Sequence, residues 1–429
     1  MTSLINSPIE TRPMVDPTRV TIIQWLLALL CFIAPFSLLA QDQDGGDYQF
    51  PDIPERWADV SKYRNEHFSV GMIFVGLFDY SVFDQNRRSI DQVGEQDNAF
   101  DARSFRFLVA GTLDFIGPWS YLISVEYNGL DDTPGDPTFK FIDVAMTRHF
   151  ADGTRRLTFG KQKQPFIYEL AGDAANLPHH ERLLNPFFVS RAWGISYTHT
   201  YLEKRLALQA GWFNDWFVAS GDFKAQGNQF TARLTGLPVW QDEGSRLLHL
   251  GVSLRYQEDE QGFLRYVGRP GSNVTDYYVD TGSFGADHAW NLGLEALWQS
   301  DRFTVLGEYV QARVKADTVG NPSFDGYYVT ASYLFNGELR PYDTMKRFSR
   351  RVEPEAGWGT FEPFVRIGRV NLDDTGISGG RMQKWYVGVN WWATRRWKMS
   401  AGYGDIELDR YGSTGLTKQL LFRLQWIGP

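Results

Sequence analysis

The feature that most constrains the fold of this chain is the alternation of apolar and polar side chains along segments of about ten residues. In one such segment Phe105, Phe107 and Val109 share one side, and Ser104 and Arg106 share the other. Side chains of a β-strand point alternately to its two faces. Each segment is therefore predicted to be a strand with one apolar and one polar face.

The same alternation recurs from Glu66 to Trp426. A second segment, 120–128, follows the first through the short turn Gly117-Pro118, and its polar side continues that of its neighbour, so the two are predicted to form a hairpin. We count about sixteen or seventeen such strands, which predicts an all-β fold, an antiparallel β-barrel of about 16 strands. Only residues 262–282 alternate weakly. Further apolar rows begin at Phe68, Trp193, Leu206, Leu248, Trp290, Phe303, Trp385 and Leu420.

The barrel is predicted to span a membrane. After Ala40 no apolar run approaches the roughly 18 residues of a spanning helix, which excludes a helical membrane protein. The mean hydropathy of −0.34 agrees with a transmembrane barrel, because each strand hides its apolar row between polar residues. Aromatic residues make up 15% of the chain, and many lie at strand ends, as in the girdles of membrane barrels. The alternative is a soluble β-protein that buries the apolar rows in its own core.

The N-terminus predicts export. Arg12 and Arg19 precede an apolar run that ends at Ala40, as in a cleaved signal peptide, and the alternative is an uncleaved anchor. We therefore divide the chain into a signal peptide (1–40), a flexible leader (41–64) and a barrel domain (65–429). The only cysteine, Cys31, lies in the signal peptide, so the mature chain has neither a disulfide nor a thiolate metal site.

Connections between the predicted strands alternate in length. Tight turns such as 299–302 contrast with long stretches at 164–189 and 337–359, as in barrels with short periplasmic turns and long outer loops. The net charge of −8 disfavours non-specific binding to nucleic acid.

The stretch Gly160-Lys161-Gln162-Lys163-Gln164-Pro165-Phe166 resembles the strand-to-loop signature of the phosphate-selective porin O and P family. The loop that follows resembles the family too, with Glu169, Glu181-Arg182, Arg191 and Gly194 in the expected order. The resemblance spans roughly 103–425, most of the mature chain. Other similar motifs are Thr231-Ala232-Arg233-Leu234-Thr235-Gly236, Leu247-Leu248-His249-Leu250-Gly251, Gly388-Val389-Asn390-Trp391-Trp392 and Arg423-Leu424-Gln425.

This resemblance implies a homotrimer of sixteen-stranded barrels in the outer membrane, in contact with its lipid, each with its own pore. It also implies inward-folded loops that narrow the channel and basic side chains that attract anions. The sequence departs from the family at its end, Trp426-Ile427-Gly428-Pro429, where members usually finish on an aromatic residue.

Eight basic residues are the candidate pore-lining, anion-binding groups. A charge that faces lipid near the midplane costs about 2–4 kcal/mol, which favours an inward direction for basic residues within strands. Each of these could instead pair with an inward carboxylate, such as Glu308 or Glu362, and hold the wall rigid. Those in or next to the long loop could instead belong to a solvated outer loop. The strand residues are Arg106, Arg233, Arg366 and Arg423, and the loop residues are Lys161, Lys163, Arg182 and Arg191.

The predicted function is an outer-membrane porin for passive diffusion of small anions, with phosphate as one candidate solute and without any cofactor. One alternative is a porin for other small solutes without phosphate preference. Another is a barrel enzyme that acts on lipid, since such enzymes use serine and histidine of the barrel wall. His149 and His199 lie within strands that alternate clearly, although no hydrolase motif is present. His179-His180-Glu181 lacks the spacing of a zinc site, and no metal is predicted there.

Overall fold

The computed structural model describes residues 62–429 apart from 115–116, 128–138, 151–152, 215–226, 260, 337–338, 356 and 429. The predicted signal peptide and most of the predicted leader lie outside the described residues. The last three leader residues, Lys62–Arg64, form a short strand that pairs antiparallel with residues 69–71. The barrel sheet therefore begins slightly earlier than predicted.

Sixteen long antiparallel strands, each hydrogen-bonded to the next along the chain, form one barrel. The first strand pairs with the last, with Phe74 opposite Gly428 and Gln85 opposite Thr417, so the sheet is closed. This confirms the predicted fold. In chain order the strands are β1 Phe68–Gln85, β2 Ala99–Leu113, β3 Trp119–Tyr127, β4 Phe139–His149, β5 Arg155–Gln162, β6 Ala192–Tyr201, β7 Leu206–Asn214, β8 Gln229–Gln241, β9 Arg246–Gln257, β10 His288–Ser300, β11 Phe303–Lys315, β12 Ser323–Tyr333, β13 Thr360–Asp374, β14 Ile377–Trp392, β15 Trp397–Arg410 and β16 Ser413–Gly428.

The two faces of the strands differ as the alternation predicts. In β16, Leu416 and Phe422 are exposed on the outside, whereas Gln419 and Arg423 are buried inside. The outward rows of the other strands are likewise apolar and exposed, which gives the barrel the apolar outer surface that contact with lipid requires. Outward members include Ile123, Met146, Leu250, Trp290, Leu294, Val365, Ile367, Val387 and Val389.

We expect replacement of Phe159 by arginine to destabilise the barrel by about 2–4 kcal/mol, because the new charge would face lipid. Phe159 lies in the middle of β5, opposite the outward-facing Met146 and Ile195. The adjacent Thr158 faces inward, with its hydroxyl 2.9 Å from that of Thr147. Thr158→Arg is therefore the matched control and should cost much less. Urea unfolding in lipid vesicles, followed by tryptophan fluorescence, measures both variants, and equal losses would contradict the assigned faces.

The connections at the two rims follow the predicted alternation in length only in part. Connections after odd-numbered strands lie at one rim, and those after even-numbered strands lie at the other. Two long connections, loop A (163–191) and loop B (258–287), are at the first rim, whereas the second rim has short turns at 202–205, 301–302 and 393–396. Loop C (334–359) is also at the second rim, so the long stretches predicted at 164–189 and 337–359 start from opposite rims.

The helices and short strands all lie in connections. Asn86 caps helix α1, since its side chain accepts a hydrogen bond from Ser89 N at 2.9 Å. Loop B, where the sequence alternates weakly, contains short paired strands rather than a barrel strand. None of the helices in the described part of the chain is long and apolar enough to cross a membrane. The elements are α1 Arg87–Val93, α2 Tyr168–Ala171, 3-10 turns Ala174–Asn176, Asn185–Phe187, Asp242–Gly244 and Asp317–Val319, and short strands Phe263–Leu264 with Phe284–Gly285, Val267–Gly268 with Val279–Asp280, and Tyr342–Asp343 with Phe348–Ser349.

An apolar core fills one side of the lumen. Phe166, Leu184 and Phe187 of loop A are buried in one cluster with Val310 of β11 and Phe324 of β12. Burial of such side chains stabilises the inward position of the loop by roughly 1.5–3 kcal/mol each. Loop A is therefore packed into the barrel as part of its core, and it does not lie over the rim as a solvated outer loop.

Candidate functional site

Near the end of β5, just before loop A, lies a glycine for which no other residue fits. Gly160 has φ +113°, and a Cβ there would lie 2.0 Å from the carbonyl oxygen of Val144. After this close approach, helix α2 directs two backbone N–H groups at the carboxylate of Glu308, from Tyr168 at 2.5 Å and Glu169 at 2.9 Å. The hydroxyl of Tyr328 donates to the same carboxylate. These contacts satisfy N–H groups that a helix N-terminus leaves free, and they hold the start of the loop against β11 and β12.

The Glu169 carboxylate holds loop A in its folded path. It accepts hydrogen bonds from the backbone N–H groups of Leu183 at 3.1 Å and Leu184 at 3.0 Å, and from Arg366 of β13 at 2.7 Å. Burial alone would raise the pKa of Glu169, but the charge of Arg366, together with the nearby His179, holds it well below its ordinary value. The carboxylate is therefore ionised at neutral pH.

The tip of loop A is held by ion pairs to the strands where the barrel closes. Glu181 contacts Arg103 of β2 at 2.7 Å and Arg423 of β16 at 2.7 Å. Arg423 also makes two contacts of 2.7 Å with Asp79 of β1. Because Arg423 has two carboxylate partners, its main role in this structure is to hold the loop and the closing strands together.

Loop C enters the lumen from the second rim and meets loop A. The hydroxyl of Tyr168 is 2.8 Å from that of Ser349 and accepts a hydrogen bond from Ser349 N at 2.6 Å. The hydroxyl of Tyr342 is 2.6 Å from a ring nitrogen of His249, whose other ring nitrogen is 2.7 Å from Glu295. Loops A and C together therefore narrow the barrel from both ends.

Arg233 supports loop C from the wall. Its guanidinium is fully buried, contacts Glu295 at 2.6 Å and donates to the carbonyl oxygen of Arg347 in loop C at 3.1 Å. Arg233 and Arg366 are thus paired with carboxylates, which is the wall-supporting alternative considered for them. Their partners are Glu295 and Glu169. The sequence had instead suggested Glu308 and Glu362 as inward carboxylates that could pair with them.

The inner face of β2–β5 keeps contact with water. The side chains of Arg106 and Glu126 are 26% and 15% exposed and form an ion pair at 2.8 Å. Arg191, at the end of loop A, contacts Asp143 of β4 at 2.8 Å. A row of hydroxyl groups continues this polar face, among them those of Ser69 and Thr112, which are 2.7 Å apart. Among the described residues, this water-exposed face forms the open side of the lumen.

The paired charges on this open side balance, and one further cation lies beside them. Arg103 contacts Glu181, Arg106 contacts Glu126, Arg191 contacts Asp143, and Lys163 contacts Asp173 at 2.9 Å. A further cation, Arg182, lies in loop A. Among these nine named groups, five cations and four carboxylates leave an excess of one positive charge, 5 − 4 = +1.

Arg182 is the cation in this group that has no carboxylate partner within ion-pair distance in the described part of the chain. It donates to the carbonyl oxygen of Gly172 at 2.9 Å, and its Nε has no hydrogen-bond partner there. Burial, followed by the charge of Arg191, lowers the pKa of Arg182 to about 10. It therefore remains charged at neutral pH.

The lowered pKa of Lys163 leads us to expect that anion selectivity depends on pH. Burial lowers its pKa to about 8, although Asp173 acts in the opposite direction. A cation with this pKa is about nine-tenths charged at pH 7 and about one-tenth charged at pH 9. We expect the anion-to-cation permeability ratio to fall over that interval and to stay level in Lys163→Arg, because arginine remains protonated. Reversal potentials across the pH series measure this, and an identical decline in both proteins would refute the assignment to Lys163.

The structure places Lys161 differently from the prediction. It shares a row with Phe159 and lies opposite Val144 and Trp193, so its side chain starts on the outer face. Its Nζ donates to the carbonyl oxygen of Phe141 at 2.8 Å. Its position near the end of β5 lets the amine reach the rim without entering the apolar belt. We therefore leave Lys161 out of the lumen group.

Sequence reasoning missed Arg103 because of a bulge. Strict alternation assigns Arg103 to the same outward side as Phe105. The pairing of β1 with β2 shifts between Leu77 and Asp79, so that two residues of β2 oppose one of β1 and Arg103 turns towards Glu181. No residue pattern marked this shift. Arg269 in loop B and Lys384 in β14 were missed as well, and both line a cavity beside loop A.

The structure shows the partners of His149 and of the pair His179-His180, which the sequence analysis singled out. The Nε2 of His149 is 2.8 Å from the hydroxyl of Ser120, and this pair lies on the inward row of β3, away from lipid. His179 and His180 face different partners, since His179 is 3.3 Å from Glu169 and His180 is 2.8 Å from the hydroxyl of Tyr386. Within the described residues, no group of three or more histidine, cysteine, aspartate or glutamate side chains is arranged to hold a metal ion.

Comparison with known proteins identifies the family. The family model described as phosphate-selective porin O and P matches residues 78–426. Because this match covers most of the sequence, the chain belongs to that family. With the closed sixteen-stranded barrel, membership confirms the predicted outer-membrane localisation.

Individual relatives are more distant. Porin O of Pseudomonas aeruginosa is 25% identical over 215 residues, which cover 42% of this chain and 48% of that protein. An uncharacterized protein of Caulobacter vibrioides is 26% identical over 297 residues, which cover 66% of this chain and 59% of that protein. The chain thus matches only about half to three fifths of the length of these relatives.

Solved structures support the fold. An anion-selective porin from Comamonas acidovorans has a TM-score of 0.54 at 13% identity, covering 84% of this chain and 100% of that one. The outer membrane channel DcaP of Acinetobacter baumannii has a TM-score of 0.52 at 9% identity, covering 86% and 100%. At these identities the likeness establishes the barrel fold alone.

Proposed function

We propose that the chain is a porin through which small anions diffuse passively. The observation that carries this proposal is the uncompensated charge of Arg182 beside the water-exposed face of β2–β5. The net charge of the whole chain is −8, but a passing ion responds most to charges inside a narrow lumen with low-dielectric walls. A positive excess at that place favours anions even in an acidic protein.

Phosphate is the candidate solute. The family description includes phosphate selectivity, and one structurally similar porin is described as anion-selective. Guanidinium groups bind tetrahedral oxyanions through planar pairs of N–H groups, and an ammonium group binds them as a point charge. Arg106, Lys163, Arg182 and Arg191 supply both kinds of group along the open side. The alternative is passage of other small solutes without a preference for phosphate.

Planar bilayer recordings under a salt gradient test the anion proposal. We expect a reversal potential of the sign given by anion preference, and a reduction of chloride current on addition of phosphate. A reversal potential for cations, with no effect of phosphate, would contradict anion selectivity while leaving the pore itself intact. A protein that forms no channels at all would contradict the porin proposal.

We also propose a homotrimer surrounded by outer-membrane lipid and without catalytic activity. One structurally similar outer membrane protein, OmpT of Vibrio cholerae, is described in a trimer form. Because Ser120 and His149 face the lumen, they have no access to a lipid ester in the outer belt. Light scattering of the protein in detergent measures the oligomeric state, and a monomer would contradict the trimer. Phospholipid hydrolysis that disappears in His149→Ala would contradict the absence of catalysis.

A further inference from the structure

A short hairpin of loop C, residues 341–350, stands inside the lumen. Its two short strands pair with each other, with Tyr342 opposite Ser349. At its base, Arg350 N donates to the carbonyl oxygen of Pro341 at 2.7 Å. These hydrogen bonds are internal to the segment, so it can move as one unit. We call this segment hairpin C.

Two arginines anchor the ends of hairpin C to the barrel. Arg340 is paired with Glu362 of β13, and its carbonyl oxygen accepts a hydrogen bond from Gln299 of β10 at 3.0 Å. Arg351 donates to the carbonyl oxygen of Arg395, in the turn between β14 and β15, at 2.6 Å. Any movement of loop C is therefore confined to the hairpin between these two anchors.

Apolar packing and two hydroxyl contacts favour the inward position of hairpin C. Phe348 lies in the apolar core cluster of the lumen. The hydroxyl of Tyr342 is 2.6 Å from a ring nitrogen of His249 in β9. The hydroxyl of Ser349 is 2.8 Å from that of Tyr168 in loop A. These contacts hold the hairpin against both the wall and loop A.

The side chain of Arg347 opposes that position. It is fully buried, and none of its three guanidinium nitrogens has a hydrogen-bond partner in the described part of the chain. A cation buried in this way is costly, and burial accordingly lowers the pKa of Arg347 below its ordinary value. Asp343 attracts the guanidinium, but its carboxylate accepts hydrogen bonds from Met345 N and Lys346 N and forms no ion pair with Arg347 among the described residues.

The backbone of Arg347 is strained in the inward position as well. Its φ is +63°, in the left-handed region that residues with long side chains rarely adopt. Its carbonyl oxygen accepts a hydrogen bond from Arg233 of β8 at 3.1 Å, which helps to fix this conformation. In a displaced hairpin, water would solvate the guanidinium and the backbone would relax. Arg347 therefore lowers the stability of the inward position relative to a displaced one.

Hairpin C carries a net positive charge. Its cations are Lys346, Arg347 and Arg350, and its carboxylate is Asp343, which gives 3 − 1 = +2. A voltage across the membrane acts on any charge that changes its depth in the lumen. Displacement of the hairpin towards the second rim would therefore depend on voltage.

We propose that hairpin C is a hinged gate that exchanges between the inward position and one displaced towards the second rim, and that Arg347 keeps the two positions close in free energy. The proposal rests on the proposed function only in that the lumen must conduct ions. Loop A stays docked in both positions, because its contacts with Arg366 and Glu308 do not involve the hairpin. The wild-type channel thus has two conductance levels separated by a modest step.

Single-channel recording of the full-length protein in planar bilayers tests the gate. Asparagine tolerates a positive φ and carries no charge, so Arg347→Asn stabilises the inward position. We expect the fraction of time in the higher level to fall about tenfold, which corresponds to about 1.4 kcal/mol. The control is Lys204→Asn, because Lys204 has φ +64° and is exposed in the turn between β6 and β7 at the same rim. It should leave the occupancy of both levels as in the wild-type protein.

The voltage response tests the charge of the moving part. Arg347→Asn and Arg350→Gln each lower the charge of hairpin C from +2 to +1, so each should roughly halve the steepness with which voltage changes the occupancy of the two levels. Arg347→Asn should in addition shift the occupancy near zero voltage. A steepness that is unchanged in both variants would overturn the assignment of hairpin C as the part that moves.

Thiol modification follows the hairpin without relying on conduction. Only 6% of Met345 is exposed, so a cysteine at this position reacts with a charged thiol reagent only when the hairpin leaves the lumen. With Cys31, the only cysteine of the chain, replaced by serine, we expect Met345→Cys to react and the added change Arg347→Asn to slow the reaction about tenfold, or about 1.4 kcal/mol. An unreactive cysteine, or equal rates with and without Arg347→Asn, would refute the gate.

The same recordings separate the gate from the proposed function. A protein that forms channels with a single conductance level refutes the gate alone. A protein that forms no channels refutes the proposed function, whereas the thiol reaction still reports whether the hairpin moves.

Discussion

Replacement of Glu169 by glutamine is expected to release loop A from its inward position and to produce large-conductance openings that the wild-type channel lacks. The change removes the negative charge that Arg366 contacts at 2.7 Å and leaves that guanidinium buried without a counter-charge. Breaking a buried pair in this way costs about 3–5 kcal/mol. At about 1.4 kcal/mol per factor of ten, the undocked population of the loop rises by roughly two to four orders of magnitude.

Single-channel recording and limited proteolysis within loop A measure this release. The matched control is Glu243→Gln, since Glu243 is exposed in the short turn between β8 and β9. We expect the control to keep both the wild-type conductance and the resistance of loop A to protease. Should Glu169→Gln behave like the control, the loop must be held chiefly by its apolar contacts rather than by this ion pair.

The alternation of side chains was sufficient to predict the barrel because the two faces of a membrane strand meet such different surroundings. Phe422 and Arg423 are neighbours in sequence, yet one meets lipid and the other meets a buried carboxylate. A shift of one residue would exchange them at a high cost in free energy. The sequence therefore determined the face of most strand residues as well as the number of strands.

The partners of the inward charges could not be predicted in the same way. Arg233 pairs with Glu295, Arg366 with Glu169, and Arg423 with Asp79, and these partners are 62, 197 and 344 positions apart in the sequence. Which carboxylate meets which guanidinium depends on strand register, on bulges and on the fold of loop A. The alternation of apolar and polar residues carries no information on register, bulges or the fold of loop A.

The inward path of loop C could not be predicted from the sequence either. Its length predicted an outer loop, because long connections usually lie at the outer rim of such barrels. Its contacts explain the exception, since Tyr342, Phe348 and Ser349 find partners inside the lumen. Loops A and C thus both pack inside the barrel, while the inner face of β2–β5 keeps contact with water.

On that open side, replacement of Arg182 by glutamate is expected to invert the charge preference of the channel. The nine charged groups named there, the four ion pairs and Arg182, comprise five cations and four carboxylates, an excess of +1. The variant has four cations and five carboxylates, 4 − 5 = −1. Since low-dielectric walls strengthen the field of each charge on an ion in the lumen, a change of two units is enough to reverse the sign of the preference.

Arg313→Glu is the control because it changes the net charge of the chain by the same amount at an exposed position of β11 on the outer side of the barrel. We expect its reversal potential under a salt gradient to match that of the wild-type protein, whereas Arg182→Glu should give the opposite sign. If the two variants shift the potential equally, selectivity follows the charge of the whole chain rather than that of the lumen. Persistent anion preference in Arg182→Glu would instead mean that the paired cations Arg106, Lys163 and Arg191 govern selectivity, because their carboxylate partners screen them only in part.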